Sequence, residues 1–533
     1  MSARPDHVFP PSEQNEFHMF SMTKDWLHWR ALATPGKEAT FFEGRSVSYG
    51  ELDRLADGQA SGLAAKGVQA GDRVAALMEN SVEAIALIHS VARIGAILVP
   101  LNTRLTAVEI ARQLGLVEPA LLVVDGGLGG DVGGSKVPGP ASKAEIQSLL
   151  EEPLLTVSLT GLAEVESSDR RDADRKLQEP LRPEEQVQSI VFTSGSTGTP
   201  KGVQLSFANH FWSATASAFR LGVGPTDRWL SCMPLYHVSG MAIVFRSCLY
   251  GTAIVLQRRF ELEEFQRSLR EDRVTQTSLV PTLLHRLLHS SPATEWPESL
   301  RTVLIGGAAV TPELLQTAVD ACVPVTPSYG LTETATQAAT ALPADVRRKP
   351  GSVGRPLLFT ELCIADADGS PLAQGEIGEI LVRGPQVTKA YYRNPDATAS
   401  ALRSGWLHTG DMGRLDGDGD LYVLQRRTDL IVSGGENIYP VEVESALREH
   451  PAVADVCVVG LPDEEWGQRS AAAVQLHAGE SVTRDALLAF SRGRLAGYKQ
   501  PSAKHIRFVE ALPETASGKI ARRAVRAMFE NIK

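Results

Sequence analysis

Between Arg73 and Asp125 three short apolar runs, RVAALM, ILVP and ALLVVD, alternate with amphipathic stretches at Ser81–Ile94 and from Thr106 onward. Runs this short, and apolar at consecutive positions, suit strands buried on both faces. Parallel neighbours need a crossover between them, and the intervening stretches have helical spacing. The chain is thereby committed to βαβ units and an α/β fold. The same punctuation recurs on either side. A helix is expected over Asp25–Ala33, a hairpin over Ala39–Gly50 and a helix from Tyr49 to Leu63. Strands are expected at Ser189–Thr193, Leu230–Pro234, Ala253–Leu256 and Thr302–Ile305, with a helix over Ser206–Leu221. Gly126–Pro140 and Glu164–Lys176 read as solvated loops.

Beyond Pro350 the texture changes to short strands and turns: ELCIADADGSPL, GEIGEILVRG and GRLDGDGDLYVLQ. A small β-barrel or meander fits them better than further βαβ units. Asp416, Asp418 and Asp420 have the spacing of the first three EF-hand ligands. Leu421 stands where that loop needs Gly and Arg427 where it needs Glu, so a hairpin turn is expected. A helix from Val441 to Glu449 opens a mixed α/β stretch, with the domain boundary near Arg426–Thr428.

A chain of 533 residues is too long for one simple core. Its net charge of −10 argues against a general nucleic-acid or anionic-membrane surface. Five cysteines far apart suggest reduced thiols, with neither a disulfide framework nor a zinc ribbon. The N-terminal MSARPDHVFPPSEQNEF lacks a signal peptide's apolar region, and no apolar run reaches transmembrane length. The expected compartment is the cytoplasm, without integral membrane contact.

The apolar Ile190–Phe192 leads into TSGSTGTPKG, Thr193–Gly202, where five hydroxyls, three glycines and one lysine fall within ten positions. Glycines let consecutive N–H groups turn inward into an anion nest, and Lys201 adds a point charge suited to phosphate. It is not a Walker A loop, because Lys201 lies between Pro200 and Gly202. Four further stretches concentrate polar groups or bare backbone: Pro234–Gly240 with His237, Gly306–Ala309, Ser328–Thr334 with Glu333, and Trp406–Asp411. A carboxylate at Glu333 suits Mg²⁺, which takes one or two carboxylates plus substrate phosphates. Asp411 suits a ribose diol, and the bare Gly306–Ala309 turn leaves room for a flat ring.

The ordered set TSGSTGTPKG, YGLTET, GWLHTGD, RRTDLIVSGGENIYP and LPETASGKI resembles the adenylate-forming superfamily of acyl-CoA synthetases, adenylation domains and luciferases. The resemblance implies a flexible extension over residues 1–20 and a large adenylation domain over 21–426, of doubly wound sheets plus a small β-barrel. A small mobile α+β domain over 427–533 follows, hinged at Thr428. It implies an acid–thiol ligase in which a carboxylate attacks the α-phosphate of ATP and a thiol then displaces AMP. By residue, it places Thr193, Ser194, Gly195, Ser196, Thr197, Gly198 and Lys201 on the β- and γ-phosphates and Glu333 on Mg²⁺. Gly307, Ala308, Ser328, Tyr329, Gly330 and Thr332 fall around the nucleotide, with Asp411 and Arg426 on the ribose. Gln425 departs from the glycine usual before that arginine. Lys519 matches the lysine that reaches the attacking carboxylate and the α-phosphate, and joins Lys201, His237, Thr332 and Glu333 as the catalytic set. Ser433, Gly434, Gly435 and Glu436 would meet coenzyme A. His237, Ser239, Gly306 and Gly307 would line the acid pocket.

Asn209–Ala214, Asp227–Gly251 and Val99–Ile110 are most similar to the o-succinylbenzoate–CoA ligases of menaquinone biosynthesis. That subgroup's acid carries a second carboxylate, and Arg246 is a candidate counter-charge. The alternatives are another aryl or medium-chain acid, an enzyme loading a separate carrier protein, and a non-catalytic nucleotide-binding protein. A homodimer is the oligomer considered.

Overall fold

The computed structural model describes residues 25–125, 142–150, 152–162, 186–193, 200–291, 293–308, 310–425, 430–513 and 520–529. Two α/β sheets form most of the molecule. One has six strands in the order Thr156–Ser158, Leu121–Val124, Arg73–Leu77, Ile97–Pro100, Val187–Thr193 and Lys201–Ser206. All neighbours are parallel except the last pair, a hairpin with Thr193 opposite Lys201. Lys201 thus opens a return strand, and the hairpin's tip at 194–199 lies outside the described residues.

The second sheet has nine strands, with Val325–Tyr329, Thr302–Ile305, Gln276–Leu279, Arg228–Ser231, Ala253–Leu256 and Glu38–Phe42 running parallel at its centre. Every residue of Leu121–Val124, Ala253–Leu256 and Thr302–Ile305 is buried, as continuous apolar runs require in a sheet covered on both faces. The covering helices begin at side-chain caps. Ser206 and Asn209 form a capping box at the start of Phe207–Leu221, and Thr106 and Glu109 do so for Ala107–Val117.

Where the sequence predicts a small barrel, five antiparallel strands are arranged around Trp406–Leu415, in an order that stays open among the described residues. In its Asp416–Asp420 turn Lys349 Nζ lies 2.7 Å from Asp416 and Asp418 and 2.6 Å from Asp420. An internal ammonium sits where a loop of this spacing would hold calcium. The turn carries no metal-binding reading.

From Ile431 onward the chain builds a separate five-stranded sheet dominated by the pair Val453–Asp463 and Gly467–Leu476. Its two apolar clusters draw their buried residues from this part of the chain alone. Contact with the larger part comes through Ala496, buried among Leu105 and Ile110, and through Tyr498, which packs on both cores. The expected boundary and the hinge at Thr428 fall on 426–429, outside the described residues, as does the 1–20 extension. Among the described residues no helix is long and apolar enough to cross a membrane.

Candidate active site

A cavity of about 230 Å³ opens where strands of both α/β sheets end. Leu279, Ile305 and Tyr329 close parallel strands of the nine-stranded sheet, and Thr193 closes a strand of the other. Crevices outside the carboxyl ends of parallel strands are the usual ligand sites of such sheets. Thr193, His237, Ser239, Gly306, Gly307 and Ser328 line it, joined by Gly330, Thr332, Gly435 and Glu436. A Cβ on Gly306 would stand 3.2 Å from Ser328 Oγ, so the bare wall there is tightly fitted. At Gly330 a Cβ would fall 1.6 Å from the Thr336 carbonyl oxygen, which excludes any side chain.

His237 is the N-cap residue of helix Val238–Tyr250 but makes no side-chain capping bond. Its Nε2 instead lies 3.3 Å from Glu436 Oε2, with Arg104 Nη1 3.2 Å from Glu436 Oε1. Burial alone would raise the Glu436 pKa; His237, then Arg104 and Lys499, reverse the sign and hold it at about 2. Glu436 is thus a buried carboxylate charge delivered by the C-terminal part of the chain. The turn that delivers it, Gly434–Gly435, has φ of 59° and 85°. Both residues therefore occupy the left-handed region that favours glycine. Space is also short: a Cβ on Gly435 would lie 2.8 Å from Val280 Cγ1, and one on Gly434 2.7 Å from Trp466 Cε3.

Two further pairs stand beside the cavity. Tyr391 donates its hydroxyl to Glu333 Oε1 at 2.7 Å, and its ring lies 5.4 Å from Lys201 Nζ. Tyr329 donates to Asp411 Oδ2 at 2.8 Å, both residues being buried. Arg246 lines the cavity from helix Val238–Tyr250 and is 2% exposed. Its Nη2 donates to Thr336 Oγ1 at 2.8 Å, while Nε is buried with no hydrogen-bond partner among the described residues. Among the described residues no carboxylate forms an ion pair with it, and burial lowers its pKa.

The family model described as AMP-binding enzyme matches residues 27–392, and that of the AMP-binding enzyme C-terminal domain matches 442–519. The chain belongs to the AMP-binding enzyme family. The 2-succinylbenzoate–CoA ligase of Geobacillus kaustophilus (strain HTA426) is 41% identical over 95% of this chain and 98% of its own. Among solved structures, o-succinylbenzoate CoA synthetase from Bacillus subtilis is 36% identical, covering 94% of this chain and 98% of its own. A double mutant of it bound with its product analogue gives a TM-score of 0.86, and the enzyme in complex with its acyl-adenylate intermediate gives 0.70. This AMP-binding enzyme thus superposes more closely on the product-analogue complex than on the acyl-adenylate complex.

Of the site residues expected from sequence, Lys201, Glu333, Asp411 and Tyr329 flank the cavity rather than line it. Ala308, Ser433 and Gly434 also stand outside its wall. Ser194, Gly195, Ser196, Thr197, Gly198, Ala309, Arg426, Thr428 and Lys519 fall outside the described residues. Sequence reasoning missed Tyr391 and Thr336, which bind Glu333 and Arg246, and the junction residues Glu109, Tyr498 and Lys499 that join the two parts of the chain. Arg104 and Glu109 do fall in VPLNTRLTAVEI, a stretch singled out for its resemblance, but nothing local announces their partners.

Proposed function

We propose that this AMP-binding enzyme joins o-succinylbenzoate to coenzyme A at the expense of ATP, releasing AMP and pyrophosphate. The observation that carries the choice of acid is Arg246, a buried guanidinium in the cavity wall with no carboxylate partner among the described residues. Such a cation is costly to keep unless a ligand completes it. A substrate with one carboxylate for activation and a second on an aromatic ring supplies the missing charge. The 41% identity to a 2-succinylbenzoate–CoA ligase supports the same acid.

In the first step a carboxylate oxygen bonds to the α-phosphorus of ATP and the bond to pyrophosphate breaks. Thr193–Lys201 would hold the leaving phosphates, and Lys519 would steady the charge that develops between carboxylate and α-phosphate. Glu333 fits a magnesium ion: its carboxylate is the hard oxygen type this ion selects, and Tyr391 fixes its Oε1. When bound, the ion would neutralise phosphate charge. Asp411, positioned by Tyr329, and Arg426 would take the ribose. In the second step the thiol sulfur of coenzyme A bonds to the acyl carbon and AMP departs. Gly435 and Glu436 then form the wall beside His237, where the thiol would approach. We take residues 427–533 as the domain that makes this exchange of roles, with Thr428 as its pivot. Five free cysteines suit a reducing cytoplasm.

A panel of acids read by pyrophosphate release tests the reading. o-Succinylbenzoate should be turned over best, and its analogue lacking the ring carboxylate poorly. Absence of turnover with o-succinylbenzoate would overturn the assignment.

A further inference from the structure

One buried ionic cluster at the junction of the two parts of the chain has no role in the steps above. Lys499 Nζ lies 2.6 Å from Glu109 Oε1 and 2.7 Å from Glu442 Oε1, and Lys499 is 3% exposed. Glu109 belongs to helix Ala107–Val117 of the large part. Glu442, on helix Pro440–Arg448, and Lys499, in the turn Gly497–Lys499, belong to the C-terminal part. Each member is tied to its own side. Glu109 Oε2 accepts from Thr106 N and Oγ1, both at 2.8 Å, which leaves Oε1 for the lysine. The Lys499 carbonyl accepts from Ser470 Oγ at 3.0 Å, fixing the turn to the C-terminal sheet. Glu442 Oε2 is buried with no hydrogen-bond partner among the described residues. Burial raises the Glu442 pKa, whereas the two carboxylates raise that of Lys499 against the effect of its own burial.

If the C-terminal part moves as a body, Lys499 and Glu442 leave together and Glu109 stays. The Glu109–Lys499 contact therefore exists in one seating only. Removing one member while the others stay buried leaves an uncompensated charge, and that penalty falls on this seating alone. The same seating places Glu436 against His237.

We propose that Lys499, by bridging to Glu109, is a positioning residue for the thioester-forming step: it holds the C-terminal part where Glu436 meets His237. The inference rests on the ligase reading above. It is tested with Lys499→Met and Glu109→Gln, the second keeping a side chain that still caps its helix. Adenylate formation, read by pyrophosphate release, should stay within about twofold of wild type, while thioester formation from preformed acyl-adenylate should fall about tenfold or more. Lys499→Arg, which keeps the charge, should recover part of that loss. A label on the exposed Cys322 and another at Glu480→Cys report the seating without substrate. Both neutral variants should lose the distance that the wild type holds. Equal loss of both half-reactions, or an unchanged distance distribution, would overturn the role of Lys499. Failure of the wild type to turn over o-succinylbenzoate counts against the ligase reading instead, and the label distances then still decide the inference.

Discussion

Arg246 separates stability from specificity at the level of one side chain. It is buried with Thr336 as its hydrogen-bond acceptor and no ion-pair partner among the described residues, so its removal strands no carboxylate. Arg246→Met should leave the melting temperature unchanged or higher, because a buried charge gives way to an apolar chain of similar length. It should lower kcat/KM for o-succinylbenzoate about 10²-fold, for a loss of roughly 2–5 kcal/mol at a buried charge pair. The analogue without the ring carboxylate should be affected far less. A parallel loss on both acids would remove Arg246 from the specificity role. Two buried histidines tie the stability of the fold to pH. Burial lowers the pKa of His210 to about 3 and that of His89 to about 4. Each is neutral when folded and takes a proton on unfolding below its ordinary value, so the stability both contribute is full above pH ~6.5. As pH falls toward about 4, stability should decline by about 1.4 kcal/mol per unit for each. Denaturant titrations across that window should show the slope, and His210→Gln should reduce it.

The hairpin Ile431–Ser433 and Glu436–Ile438 shows how an element carries chemistry across a junction. Its two-residue turn needs positive φ at both positions, and Gly435 also needs the space beside Val280. Gly435→Ala should cost about 1–2 kcal/mol for the left-handed conformation, and it pushes a methyl group against Val280. Thioester formation should slow, and adding Val280→Ala should restore only the part due to crowding. Kinetics of the second half-reaction in the single and double variants separate the two causes. The turn was legible in SGGEN because its positive φ values are a local demand for glycine, while the crowding by Val280 and Trp466 was not. So were Thr193 and Gly306, each at the end of an apolar strand run, whereas Gly330 was reached only through the resemblance carried by YGLTET. Tyr391 with Glu333 and Lys499 with Glu109 were not legible. The second pair is separated by 390 positions, and each member looks locally like an ordinary surface charge. Burial, which only the assembled fold supplies, converts them into partners.

For the whole molecule, one cavity is shared between a large part that holds most of its wall and a C-terminal part that completes it. The lysine proposed for the first step and the glutamate proposed for the second both lie in the C-terminal part. Lys519→Ala should therefore abolish adenylate formation yet largely spare thioester formation from preformed acyl-adenylate. Rapid-quench measurement of the two half-reactions checks this, and equal loss of both would contradict the division. Lys499 variants should show the opposite split. The junction also links two scales through a single carboxylate. Glu109 uses one oxygen to begin its own helix and the other to receive Lys499, so local winding and global seating share an atom group. If the C-terminal part departs, that carboxylate meets water, and the first turn of helix Ala107–Val117 should lose part of what holds it rigid. Fraying there would become an internal gauge of domain position, written in the exchange rates of backbone amides at the cavity wall.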